Sequence, residues 1–266
     1  MYSSRPFATP SLNPQNWPYY PNITNTGVPP GTVLTNYTGP TNITTNNTVI
    51  DSKICNVGEL DINASGVVIQ NSIIFSGDNS FFGLFSQTNA YTVLNCEIVG
   101  PYVTGTSGIN SDFGGTFDHV IIRGFENCFV GGGSGTITNC YLFDIQNSDT
   151  AHPDGIQFGG GQDGYVVRHN RIESCGNAGI YMTTDFGNVN NIICDDNLVI
   201  QKLNDAANFA LMIDQKASQP TRFITNITQT NNVLQRGNLD YRFDNIGAQL
   251  TVHGNRDAFT YVYAGN

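Results

Sequence analysis

Val167-Arg168-His169-Asn170-Arg171-Ile172 repeats a pattern met twice upstream, in Phe117-Asp118-His119-Val120-Ile121-Ile122 and Ile137-Thr138-Asn139-Cys140-Tyr141-Leu142. With the fourth residue as anchor, an apolar side chain stands three places before it and another two places after. Working outward, the same anchor recurs at Ser52, Ser72, Cys96, Val120, Cys140, Asn170, Asn197, Asn232 and Asn255. The positions three before are Val49, Ile69, Val93, Phe117, Ile137, Val167, Cys194, Gln229 and Val252. Those two after are Ile54, Ile74, Ile98, Ile122, Leu142, Ile172, Val199, Leu234 and Asp257. Only Gln229 and Asp257 break the apolar rule. Steps of roughly 20 to 35 residues are the spacing of a solenoid with loop insertions.

Each segment is a short β-branched strand bent at a small or amide residue. Alone it cannot bury its apolar side; stacked, it pairs with the equivalent strand above and below. Amides at the bend can then hydrogen-bond from coil to coil. A second strand stands upstream in Gly108-Ile109-Asn110, Cys128-Phe129-Val130, Gly155-Ile156-Gln157, Gly179-Ile180-Tyr181 and Leu211-Met212-Ile213. No helical period appears. The expected fold is all-β, a parallel β-helix of about nine turns over residues 46–266. A β-sandwich would need hairpin signals that these asymmetric units lack.

Composition narrows the function. The 266 residues carry 11 Lys+Arg against 21 Asp+Glu, a net charge of −10. Three lysines on an acidic chain are too few to neutralise a phosphate backbone, so nucleic acid is not the expected partner. No apolar run approaches the ~18 residues of a membrane helix. The start, MYSSRPFATPSLNPQ, lacks a basic-then-apolar signal, which fits either a processed secretory protein or a virion protein released by lysis. Pro6, Pro10, Pro14, Pro18, Pro21, Pro29, Pro30 and Pro40 mark residues 1–45 as an extended arm and N-terminal cap, or an arm that docks on a partner. Ala258–Tyr263 reads as a last strand that closes the coil or meets another subunit.

Asn25–Thr32, Val49-Ile50-Asp51, His152–Gln157, Val167–Asn170 and Thr184–Gly187, in that order, resemble a group of right-handed parallel β-helix proteins in the pectin-lyase-like superfamily, secreted by bacteria or carried by phages. The resemblance runs from about residue 22 to the end. It implies right-handed coiling and an association with cell-surface glycans. It implies no single reaction, because the superfamily holds lyases, hydrolases, epimerases, phage spikes and inert structural members. The further Asp and His motifs of its hydrolases, and its calcium-dependent lyase pattern, are not found here.

The richest polar stretch is His152-Pro153-Asp154-Gly155-Ile156-Gln157. Alternation turns Ile156 inward and Gln157 outward, in the column of Asn110 and Tyr181. At the next bend Arg168 points outward, in a column with Asp195 and His253, and His169 follows it. Insertions at 143–154, 182–191, 200–210 and 214–226 would wall a groove suited to an extended polymer. As a lyase, His152 or His169 would be the base and Arg168 the neutralising cation. As a hydrolase, Asp154 would pair with Asp185 or Asp214. As a binding protein, Gln157, Tyr181, Asn110 and Asp214 would hold the ligand. Against each stands a structural explanation: an Asp-Gly at a strand entry caps backbone N–H groups, and Arg-His-Asn, like His119 and His253, suits an exposed bend.

No cofactor is called for. Asp144, Asp149 and Asp195-Asp196 can supply Ca²⁺ ligands, but no spacing demands the ion. Cys55, Cys96, Cys128, Cys140, Cys175 and Cys194 read as buried thiols, with Cys128–Cys140 as the one candidate bridge. Gly131–Gly133 and Gly159–Gly161 read as tight corners. The expected function is a phage virion component, of tail-spike or capsid-decoration type, that binds a cell-surface polysaccharide. Its arm would contact other virion proteins, and a homotrimer is expected at the virion surface or outside the cell. The alternative is a secreted polysaccharide lyase or hydrolase.

Overall fold

Short strands, many rich in Val, Ile and Thr, are too short to stand alone, and the Asn, Asp and Gly between many of them make corners that turn the chain sharply. The computed structural model describes residues 18–88, 90–148, 151–174, 176–201, 209–234, 239–244 and 250–257. Among these are twenty-six strands and no helix, and every strand pairing is parallel. Ten strands, from Thr35–Asn36 through Glu97–Val99 and Arg171–Ser174 to Arg256–Asp257, form one sheet. The other sixteen form a curled sheet with two runs. One run contains Phe82–Ser86, Ser107–Ser111, Ala178–Thr183 and Phe209–Asp214; the other contains Val67–Gln70, Tyr91–Leu94, Val189–Asp195 and Ile224–Thr230. Asn127–Thr138 and Asp154–Arg168 are long enough to serve both. Consecutive strands fall on different faces and return to the first in order, an arrangement consistent with a parallel β-helix.

The columns expected inside the coil are present. Ile69, Val93, Phe117, Ile137, Val167, Cys194, Gln229 and Val252 are successive register partners. So are Ile74, Ile98, Ile122, Leu142, Ile172, Val199, Leu234 and Asp257. Most of these side chains are buried in one continuous core. The first unit differs by one residue: Ile50 and Cys55, not Val49 and Ile54, face inward, and Val49 is 60% exposed. The reason lies at the corner. The residue before each anchor takes positive φ, at Asn71, Asn95, His119, Asn139, His169, Asp196, Asn231 and Gly254. Ser52 also takes it (φ 56°), so Lys53 holds the anchor place and donates its N–H to Ser72 Oγ at 3.0 Å. A one-residue slip exchanges the two faces of a strand. In the upstream column, Leu211 rather than Met212 continues the inward row of Ile156 and Ile180.

The amide stack forms at the anchors. Asn170 Nδ2 donates to Asn197 Oδ1 (2.9 Å), Asn197 to Asn232 (2.9 Å) and Asn232 to Asn255 (3.0 Å). Each Oδ1 also accepts the backbone N–H of the preceding coil's anchor, as Asn170 does from Cys140. These amides are fully buried at positions 170, 197 and 232, so every bond satisfies a group cut off from water. Higher in the coil, Cys96 and Cys140 fill the same place with thiols that point at the carbonyls of Leu94 and Thr138. The five described cysteines are buried, and no bridge joins Cys128 to Cys140; Cys175 lies outside the described residues. Burial pushes the Cys96, Cys140 and Cys194 thiols up to about 12.

Residues 18–36 run along the flank of the coil. Tyr20 is buried against Leu198, Ile200 and Val233, Gly27 N–H donates to the His119 carbonyl at 3.0 Å, and Thr35 joins the ten-stranded sheet beside Lys53. Residues 1–17 and Ala258–Asn266 lie outside the described residues.

Candidate functional site

Asp154 opens the long strand and has lost all contact with solvent. Its N–H donates to Asn127 Oδ1 (2.9 Å), and its Oδ1 accepts from Asn177 Nδ2 (3.0 Å) and Ala178 N–H (2.9 Å). Oδ2 has no partner among the described residues. Burial drives its pKa well above the usual carboxylate range; the two N–H bonds oppose the rise and nearby Glu126 adds to it. The geometry is that of a strand-entry cap. His152, two residues earlier, is exposed.

The other end of the same strand carries Arg168 and His169. Arg168 lies over Asp195, with Nε at 3.0 Å and Nη2 at 2.9 Å; its column continues through Asp195 and Thr230 to His253. His169 Nδ1 meets Asp196 Oδ2 at 2.9 Å, and its ring stacks on Tyr20 at 5.4 Å with Tyr19 edge-on at 4.6 Å. Both tyrosine hydroxyls donate to Asp196 as well. This corner is occupied by the chain's own N-terminal segment. The pairing of His152 with Arg168 that a lyase would use is therefore not assembled: the two stand at opposite ends of a strand spanning both runs of the sheet, and Arg168 is held by Asp195.

A third group gathers on the outer face of the first run. The outward column reads Asn110, Val130, Gln157, Tyr181, Met212, so Val130 separates Asn110 from Gln157. Tyr181 and Met212 are covered and pack with Ala178 and Phe209 outside the coil. Lys216 Nζ donates to Tyr181 Oη (3.1 Å) and pairs with Asp214, itself nearly buried. Desolvation works against the ammonium, but the bonds to Asp214 and Tyr181 outweigh it and hold Lys216 above its ordinary pKa. Thr184 Oγ1 accepts the Lys216 N–H at 2.9 Å, and Thr183 Oγ1, in register with Asp214, is buried without a partner among the described residues. Asp185 is exposed on the adjoining loop, where its carbonyl and that of Thr184 accept from Arg222.

Of the residues singled out, Gln157, Tyr181, Asp214 and Asp185 share this face; Arg168 and His169 do not. The reading missed Lys216 and Arg222. A signal for Lys216 existed: it is one of three lysines and stands two residues from Asp214, hence on the same side of an extended chain. Among the described residues no three His, Cys, Asp or Glu side chains gather as a metal-binding group. Asp195 accepts from Arg168, Thr230 and Asn231 instead, and Asp149 lies outside the described residues. Comparison with known proteins gives no match to any family model, curated protein or solved structure.

Proposed function

We propose that the chain is a virion component, of tail-spike or capsid-decoration type, that binds a cell-surface polysaccharide on the outer face built by Gln157, Tyr181, Asp214 and Lys216. On this reading the fold is a right-handed parallel β-helix of about nine turns in the pectin-lyase-like superfamily. It works at the virion surface or outside the cell, with three copies assembling; residues 18–36 pack on the coil, so the part of the arm before Pro18 is the part proposed to join other virion proteins. The observation that carries the proposal is the Tyr181–Lys216–Asp214 cluster beside Gln157. A phenol, an ammonium and a carboxylate joined by hydrogen bonds stand beside the Gln157 amide of the adjacent coil. A hydroxyl-rich chain needs fixed donors and acceptors; the partly exposed Gln157 and Lys216 present them, while the covered Tyr181 and Asp214 hold Lys216 in place. The acidic, lysine-poor composition supports a ligand other than nucleic acid.

Titration of the protein with a panel of polysaccharides tests this. Lys216→Ala is expected to weaken binding at least ten-fold; binding unchanged by Lys216→Ala and Tyr181→Phe together would refute the site. Light scattering tests assembly: three times 28.9 kDa is expected, and a monomer would remove the trimer.

One observation favours an enzymatic second reading. Asp214 is in register with Asp244, so two carboxylate-bearing positions stand on adjacent strands. Glycoside hydrolysis needs a carboxyl pair about 5 to 9.5 Å apart. Release of reducing ends that disappears in Asp214→Asn would establish a hydrolase.

A further inference from the structure

Beside the polar cluster, one corner of the coil is stripped to bare backbone. Gly132 and Gly133 occupy it on one coil and Gly159, Gly160 and Gly161 on the next. A Cβ at Gly132 or Gly133 would collide with the carbonyls of Asp112 or Phe113, and one at Gly160 with the N–H of Gly187. Gly133, Gly160 and Gly161 also have positive φ (63°, 129° and 89°), so no other residue fits there without strain. The floor is held from inside by Gln162, fully buried, whose amide donates to the Gly131 carbonyl and accepts the Gly160 N–H (2.9 Å). Tyr165 Oη donates to the Gly132 carbonyl at 3.0 Å. Exposed aromatic rings flank this floor. Phe113 borders it on one side, 54% exposed; on the other stand Phe186, 81% exposed with its ring edge over Gly159, and Phe223, 48% exposed, whose N–H donates to Asn188 Oδ1.

We propose that this corner is a stacking subsite for the pyranose rings of a neutral polysaccharide, lying along the coil axis from Phe113 to Phe223. The proposal rests on the polysaccharide reading above and adds the ligand's class and direction. A pyranose has an apolar C–H face rimmed by hydroxyls. Separated phenyl rings beside the glycine corner offer that face a partner, while Gln157 meets the rim. A protein partner would instead need a continuous apolar patch. Charge selects against uronates: Asp112, Asp163 and Asp185 are all exposed around the corner, while Arg222, the cation at its edge, is committed to the Thr184 and Asp185 carbonyls.

The test is calorimetric titration of the full chain with cellohexaose, chitohexaose, isomaltohexaose and polygalacturonate oligomers. At least one neutral hexasaccharide should bind, and Phe186→Ala should weaken it ten-fold or more. Phe113→Ala and Phe223→Ala should weaken it several-fold. Phe186→Ala should melt with the parent protein, since its ring is exposed. Neutral binding that survives Phe186→Ala but falls in Lys216→Ala overturns the subsite and leaves the polar cluster standing. Polygalacturonate binding as tightly as the neutral sugars overturns the charge argument and the subsite's class. A parent protein that binds none of the four overturns both readings.

Discussion

Carboxylates in this coil are treated in two opposite ways, and pH separates them. Asp195 is desolvated, but Asn231, Thr230 and Arg168 outweigh that cost and hold its pKa below the usual range. Asp118 repeats the arrangement with Asn139, His119 and Thr138 outweighing burial, and Asp51 with Asn71 and Gln70. A lowered folded pKa contributes stability above the unfolded value, about 3.9, and loses it as pH falls through the folded value. Asp154 has the reverse sign. Its raised pKa contributes stability below about pH 4, and that contribution is lost as pH rises toward the folded value. Urea denaturation between about pH 2 and pH 8 checks both. Asp154→Asn should be more stable than the parent at pH 7, with the gap closing toward pH 4. Asp195→Asn should be less stable at pH 7 by about 1 kcal/mol, since it weakens charge-assisted hydrogen bonds, and should converge with the parent in acid. The corners give a second expectation. Asn95 takes φ 51°, a conformation costing roughly 1 kcal/mol for a residue with a Cβ that cannot bond locally. Asn95→Ala should therefore destabilise by about 1 kcal/mol, while Asn95→Gly should not, measured by the same denaturation.

At the scale of strands and corners, the anchor amides set how coils stack. Asn197 accepts from Asn170 and donates to Asn232, with both neighbours buried. Asn197→Ala strands donors and acceptors on two coils and should cost about 3 kcal/mol by thermal denaturation; a loss below 0.5 kcal/mol would show that water replaces the amide. This stacking was legible in the sequence because one residue type per unit does the work at a fixed offset from apolar partners. The first unit was not. Ser52 looks like an anchor beside Ser72, and nothing local distinguishes a serine in the positive-φ corner from one in the buried place after it. Val130 between Asn110 and Gln157 was legible, since Cys128-Phe129-Val130 stands in the repeat between Gly108-Ile109-Asn110 and Gly155-Ile156-Gln157; placing Asn110 next to Gln157 skips that coil. The cap at Asp154 was legible as an Asp-Gly at a strand entry, whereas the clasp at His169 follows from the N-terminal segment, which carries no repeat to read. Gly131–Gly133 and Gly159–Gly161 were legible as corners, but that Phe113 and Phe186 stand over them depends on contacts across coils.

For the molecule as a whole, the N-terminal segment braces the coil. It runs from Tyr19 and Tyr20 at Asp196 up to Thr35 at the first strands, so residue 18 lies near the last coils, while Asn42–Ile43 belongs to the first ones. Tyr20→Ala removes a ring buried among Leu198, Ile200 and Val233 and should cost about 3 kcal/mol by thermal denaturation; a change under 1 kcal/mol would mean the brace is incidental. Every functional statement depends on like positions of successive coils lying one above another. Thr92, Thr116, Thr136, Val166, Ile193 and Thr228 are register partners in one outward column. Spin labels on Thr92→Cys and Thr228→Cys therefore sit five strand spacings apart, about 24 Å at ~4.8 Å each. Pulsed dipolar spectroscopy should return one narrow distribution near that separation, whereas a broad spread, or a mean displaced by two strand spacings, would contradict the stacking and the outer face built on it.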